Sequence, residues 1–323
     1  MKRIVVLCGG PFAFPVLYRL GMERLLAGIT VATGDYKVVA NLEQECEKQH
    51  LPFLAITERN DHHQLMEWLN KVQPDFIFSV CYPFKISPEI IAKYPNRIFN
   101  FHPGPLPEFR GPAPIFEVLK HGADATAITV HSVSEEFDEG EIIFEEKIKI
   151  NDADTYVTLA QRLSARCGIM ALNVAEMLQF GSVEKYFKKQ NEQRANFYSF
   201  PKADARRINW SEMNSREVYN LIRACSGWTP GAITHLNDEK IHLSQAEIGE
   251  KIKQDVMPGT ITVFSENASL DVVCADGITI RIKELKSELG NPGAAYWIKA
   301  GLRPGRVLGE EFIANLKDRV SIQ

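Results

Sequence analysis
The chain has 323 residues, 45% hydrophobic and 24% charged, which is too long for one domain of ordinary size and rich enough in apolar side chains for two cores. A net charge of −4 excludes a global attraction to nucleic acid, and no uninterrupted apolar run approaches the roughly 20 residues needed to cross a bilayer. Six cysteines (Cys8, Cys46, Cys81, Cys167, Cys225 and Cys274) are dispersed without paired spacing, which excludes a disulfide framework and fits reduced thiols in a cytoplasmic protein.

Residues 1–10 have a basic start, but the apolar run is too short for a signal peptide and ends in a turn, so it reads as a first strand. Strands are expected at 4–7, 28–32, 76–80, 98–101 and 127–133, with helices between them near 13–27, 38–50, 60–73, 87–94 and 112–121. This alternation predicts an α/β fold, a largely parallel Rossmann-like sheet with helices on both faces. Residues 156–180 read as one long amphipathic helix, with Leu159, Leu163, Ile169, Leu172 and Leu178 among its apolar positions. The polar stretch that follows has no periodicity, so the boundaries expected are 1–185 for a first domain, 186–206 for a linker and 207–323 for a second domain. Within the second domain, 211–224 looks helical, with Ser215 as an internal cap. Short alternating strands at 240–243, 260–264, 270–274 and 278–285 then suggest a small β-barrel.

Residues 100–114 carry the strongest chemical signal: Asn100 and His102 sit where a buried strand emerges, followed by prolines that permit neither helix nor interior strand. A rigid polar pair at a strand end is where open α/β sheets bind ligands. Further on, residues 129–143 run from an alternating strand into an acidic loop ending in Asp138-Glu139-Gly140, with the aspartate 138 − 102 = 36 residues after the histidine.

Asn-x-His-x-x-x-Leu-Pro-x-x-Arg-Gly with Asp-x-Gly at this distance resembles the formyltransferases that use 10-formyltetrahydrofolate, in layout the methionyl-tRNA and sugar N-formyltransferases. Gly9-Gly10-Pro11-Phe12-Ala13 looks like that family's first turn, and Tyr82-Pro83-Phe84-Lys85-Ile86-Ser87-Pro88 looks like its folate loop. Ile208-Asn209-Trp210, Ile222-Arg223-Ala224 and Pro230-Gly231-Ala232 look like the C-terminal domain of the tRNA enzyme. The resemblance covers most of the chain. It implies an N-terminal catalytic domain of formyltransferase fold, a C-terminal open barrel of oligonucleotide-binding type, and 10-formyltetrahydrofolate as formyl donor.

Formyl transfer needs a neutral attacking amine, donors for the tetrahedral oxyanion and an outlet for the amine's proton. A fixed carboxamide, an imidazole and a carboxylate meet these needs, and the resemblance makes Asn100, His102 and Asp138 that catalytic set. It also implies a pterin cradle built around Phe12, Tyr82, Phe84, Lys85, Ile86, Pro88, Val133 and Phe137. Gly10, Phe109 and Arg110 fall toward the acceptor, although Arg110 reads equally well as a clamp on its own loop. Gly9-Gly10 lacks the Gly-x-Gly-x-x-Gly spacing and reads as a tight turn. Cys46 with His50, and His62 with His63, have no further ligands near in sequence, so no metal is expected.

The tRNA enzymes carry a long, basic, glycine-containing loop after their second strand, whereas residues 33–40 here are short and nearly uncharged. Gly104-Pro105-Leu106-Pro107 stands where Ser-Leu-Leu-Pro is usual, closer to the sugar enzymes, and acidic and basic residues nearly balance from 204 onward. These departures favour a small primary amine as acceptor, above all a nucleotide-linked amino sugar. Methionyl-tRNA is the alternative, followed by a hydrolase that passes the formyl group to water and a non-catalytic folate-binding module. No membrane partner is expected, and a homodimer is admitted.

Overall fold
The computed structural model describes residues 2–58, 62–179, 183–236, 239–253, 255–265, 269–288 and 290–309. The chain divides into two compact units. One comprises Met1–Pro114, Ala125–Ile150 and Leu159–Ser199, the other Ile115–Asp124, Asn151–Thr158 and Phe200–Gln323.

The first unit begins with β1 (Ile4–Cys8), α1 (Phe14–Met22), β2 (Leu26–Val31), α2 (Tyr36–Gln49), β3 (Phe53–Ala55), α3 (His62–Val72), β4 (Phe76–Val80), α4 (Pro88–Lys93) and β5 (Ile98–His102). After α5 (Pro114–Lys120), most of which falls in the second unit, come β6 (Ala125–Ser132), β7 (Ile142–Lys149) and the long α6 (Tyr156–Gln179). The seven strands lie in the order β3-β2-β1-β4-β5-β6-β7. The first five are parallel, while β6 and β7 are antiparallel additions at one edge.

Local chemistry accounts for these elements. Every residue of β1 is buried, as expected of a central strand in a parallel sheet, and Val5 and Leu7 join Leu65, Leu69, Ile77 and Ile90 in one apolar cluster. Each such side chain stabilises the fold by about 1.5–3 kcal/mol. Asp35 accepts from the backbone N–H of Lys37 at 3.0 Å and Val38 at 3.4 Å, so α2 starts directly after the turn that leaves β2. Pro88 opens α4, where its missing N–H is not needed. Gly9 is required by a close approach, because a Cβ there would lie 1.9 Å from the Cys81 carbonyl oxygen.

The second unit contains α7 (Ser215–Cys225), β8 (Ala232–Leu236), β9 (Glu239–Lys251), β10 (Ile261–Phe264), β11 (Leu270–Val273), β12 (Ile278–Lys286) and α8 (Ala294–Lys299). Its strands form an antiparallel sheet in the order β10-β11-β12-β9-β8, against which α7 packs through β9 and β12. The protein is therefore a Rossmann-like, mostly parallel sheet with a separate smaller antiparallel β domain.

Several expectations need correction. α1 stops at Met22 rather than 27, because Arg24 takes a left-handed conformation (φ 57°) and the apolar residues after it enter β2. α7 begins at Ser215, not 211, and its cap is Asn214, which forms a capping box with Glu217. The edge strands β3, β7 and β8 went unanticipated: β3 is three residues long, and β7 intersperses Glu and Lys on its solvent face. Phe180, expected to end α6, lies outside the described residues. Among the described residues no helix is long and apolar enough to cross a membrane.

Candidate active site
β5 and β6 build the site between them. Side chains two apart on a strand share a face, so Asn100 and His102 project together, and the antiparallel register sets His131 opposite Asn100 and Thr129 opposite His102. The loop after β6 returns Asp138 to the same corner in a left-handed conformation (φ 58°). Asp138 Oδ1 lies 3.4 Å from Asn100 Nδ2, 3.6 Å from His102 Nδ1 and 3.5 Å from His131 Nε2, while Oδ2 accepts from the backbone N–H of Gly111 at 2.9 Å. Only 4% of the His102 side chain, 3% of His131 and 10% of Asp138 is exposed, so these contacts operate largely out of water.

Hydrogen-bond logic fixes much of the protonation. His102 Nε2 is 2.7 Å from the Phe109 carbonyl, which can only accept, so Nε2 carries a hydrogen and the neutral ring presents Nδ1 as a base toward Asp138. His131 Nδ1 donates to the Ser132 carbonyl at 2.9 Å, and its Nε2 accepts from Asn100 Nδ2, which can only donate, at 3.1 Å. Both hydrogens of the Asn100 amide are then engaged, one by His131 and one by Asp138. Burial pushes His102 below the usual imidazole value, although Asp138 pulls the other way. Burial would also raise the Asp138 carboxyl, but the charge of His102 when protonated, the contact with His131 and the Gly111 N–H outweigh it and hold the group well below the usual carboxylate range. The resting pair is thus a neutral imidazole beside a carboxylate, suited to accepting a proton and stabilising the resulting cation.

The other anticipated residues fall into distinct groups. Tyr82 and Phe84 are half-buried with ring centroids 5.7 Å apart, and both pack with Val133 against the apolar cluster that contains Ile86. Lys85 pairs with Glu136 at 3.6 Å and lies 5.9 Å from the centre of the half-exposed Phe137 ring. Phe12, after β1, accepts from Ser164 Oγ through its carbonyl at 2.7 Å, and Gly10 is buried in the same turn. Pro88 is exposed at the start of α4.

Arg110 clamps its own loop. Its guanidinium, 5% exposed, donates from Nε and Nη2 to Gln190 Oε1 (3.2 and 2.9 Å), from Nη1 and Nη2 to Glu192 (3.1 and 2.6 Å), and from Nη1 to Glu139 (3.4 Å). Every donor nitrogen is thus engaged by Gln190, Glu192 or Glu139. Phe109 stacks on Tyr198 with centroids 5.7 Å apart, so its ring supports the loop while its carbonyl holds His102. His131 was missed; its one sequence signal is an imidazole near the end of a strand otherwise made of small, β-branched and hydroxyl residues. Among the described residues no group of three or more His, Cys, Asp or Glu is placed to hold a metal ion.

Comparison with known proteins agrees with this architecture. Residues 22–173 match the formyl transferase family and residues 202–301 match the formyl transferase C-terminal domain. The chain is 31% identical to a methionyl-tRNA formyltransferase of Fusobacterium nucleatum over 218 residues, 67% of this chain and 68% of that one. It is 27% identical to another of the same name from Sulfurihydrogenibium sp. over 269 residues, 81% and 84% of the two chains. The chain belongs to the formyl transferase family and is an enzyme that transfers formyl groups.

Solved structures share the fold at lower identity. WlaRD, a sugar 3N-formyl transferase crystallised with dTDP and 5-N-formyl-THF, superposes with a TM-score of 0.64 at 17% identity, covering 87% of this chain and 97% of that one. HypX from Aquifex aeolicus in complex with tetrahydrofolic acid superposes with a TM-score of 0.58 at 18% identity, covering 89% of this chain and 44% of that chain, so this protein spans under half the length of HypX.

Proposed function
We propose that the enzyme moves the formyl group of 10-formyltetrahydrofolate to the primary amine of a small acceptor, most specifically a nucleotide-linked amino sugar. The amine nitrogen attacks the formyl carbon, the bond from that carbon to N10 of the folate breaks, and tetrahydrofolate leaves after N10 takes the proton that His102 has removed from the amine. His102 accepts the proton from the attacking nitrogen at Nδ1, and Asp138 stabilises the imidazolium. Asn100 donates to the oxyanion by exchanging one of its resting bonds. The apolar surface of Tyr82, Phe84 and Val133 suits a pterin ring.

The observation that carries the small-acceptor reading is the tight connection of residues 32–35 between β2 and α2, closed by the Asp35 cap. It holds no basic extension of the kind a tRNA held through several phosphates needs. Because the Arg110 donors are engaged, the acceptor's phosphates must meet other cations. The relatives named methionyl-tRNA formyltransferase favour a second reading, with that tRNA as acceptor.

The test is turnover with 10-formyltetrahydrofolate against a panel of nucleotide-linked amino sugars and initiator methionyl-tRNA, scoring formylated product and free formate. Formylation of a sugar is expected. Efficient, salt-sensitive formylation of the tRNA with none of the sugars would overturn the small-acceptor reading, and formate without formylated product would turn the enzyme into a hydrolase.

A further inference from the structure
Residues 187–199 of the first unit lie along both loops that carry the candidate catalytic groups. Lys188 exchanges two backbone hydrogen bonds of 2.9 Å with Ile142, just past the Asp138 loop. Further on, the Asn196 N–H donates to the Pro107 carbonyl, the Arg110 N–H to the Asn196 carbonyl, and the Tyr198 N–H to the Arg110 carbonyl, at 3.1, 3.1 and 2.9 Å. Between these backbone seams, Gln190 joins the two loops through its side chain. Nε2 donates to the carbonyls of Asp138 and Gly140, both at 2.7 Å, and Oε1 accepts from Arg110. Since a guanidinium can only donate, the orientation of this amide is fixed.

We propose that this strap is part of the active site, with Gln190 the positioning residue that sets Asp138 against His102. The inference rests on the reading of Asn100, His102 and Asp138 as the catalytic set. Asp138 occupies a left-handed conformation that costs a non-glycine residue roughly 1–2 kcal/mol, so it persists only where neighbours hold it. The Gln190 amide supplies that hold by fixing the carbonyls of Asp138 and of Gly140 beyond it. Through Arg110 the same amide braces the loop whose Phe109 carbonyl binds His102 Nε2 and whose Gly111 N–H binds Asp138 Oδ2. Both partners of the imidazole are therefore referenced to one side chain. Glutamine is suited because it donates and accepts from one planar group; glutamate keeps the bond to Arg110 and loses the donations, and methionine loses both.

The test uses the full chain with Gln190→Glu and Gln190→Met, each assayed per folded protein beside His102→Ala. Turnover should fall about 10- to 100-fold in both Gln190 variants, the loss expected of a small misplacement in a catalytic constellation, with donor KM little changed. The acid limb of the kcat profile should move to lower pH, because a displaced Asp138 no longer offsets the burial that depresses His102. Folded Gln190 variants with wild-type kcat, or a loss that follows only the folded fraction with the pH profile unmoved, would overturn the strap's role. Full activity in His102→Ala would instead overturn the catalytic assignment beneath it.

Discussion
The start of α7 and the loop around Asp138 both rely on a side-chain oxygen that captures a backbone N–H, yet they do so over very different distances in sequence. In α7, Asn214 Oδ1 accepts from the Glu217 N–H at 3.0 Å and Glu217 Oε2 accepts from the Asn214 N–H at 2.8 Å, all within four consecutive residues. Asp138 takes its N–H from Gly111, 27 residues away, and its carbonyl is held by Gln190, 52 residues away. A local cap forms whenever its helix forms, and its loss costs little beyond its own bonds. A long-range clamp exists only in the finished fold, and disturbing any member displaces the groups it aligns.

The largest effects should follow from removing the aligned groups themselves. His102→Ala and Asp138→Ala are each expected to lower kcat by about 10² or more while leaving donor binding largely intact, since proton transfer and charge stabilisation act mainly on the transition state. In the wild type, activity that needs neutral His102 should have its acid limb below pH 6.5, the ordinary imidazole value, because burial lowers the group in the folded protein. Steady-state kinetics across pH checks both; an acid limb above that value would contradict a buried, depressed imidazole.

Gly111→Ala tests the clamp without deleting a reactive group. Gly111 sits at φ 118°, and a Cβ there would lie 2.0 Å from the Tyr198 carbonyl oxygen, while its N–H is the donor to Asp138. The substitution should cost about 1–3 kcal/mol in denaturant unfolding, through backbone strain and overpacking, and lower kcat by about tenfold as Asp138 shifts. Loss of stability with kcat intact would separate the clamp from the chemistry and weaken the contrast with α7.

The same contrast governs what the sequence discloses. Short, largely apolar runs read as β1, β4 and β5 because a buried parallel strand is written in adjacent residues, and Asn100, His102 and Asp138 are legible through a motif with fixed spacing. β3 and β7 are obscured because short or charge-bearing edge strands lack that signature. Arg110 stays ambiguous in the sequence, since a guanidinium serves a clamp or a phosphate equally well until Gln190 and Glu192 are seen beside it. Gln190 itself is invisible, one glutamine in a polar stretch whose partners arrive only through tertiary structure. The α7 cap, by contrast, is fully written in Asn214-Ser215-Arg216-Glu217, and placing the cap at Ser215 misses a local signal that is present.

The smallest effect belongs to that cap. Asn214→Ala removes the acceptor for the Glu217 N–H but leaves the buried face of Val218, Leu221 and Ile222 in place, together with the bonds of 3.1 and 2.8 Å that Ser215 N–H and Oγ donate to Asp276. The helix should therefore persist, with a loss of about 1 kcal/mol and a fall in Tm of about 2–8 °C. Asn214→Ser, which restores an N-cap acceptor, should recover most of it. Because the lost bond serves only its own helix, kcat per folded protein should match the wild type in both variants. If Asn214→Ala instead reduced kcat as much as the Gln190 substitutions do, local caps and long-range clamps would affect the chemistry alike, and the distinction drawn from their sequence distances would fail.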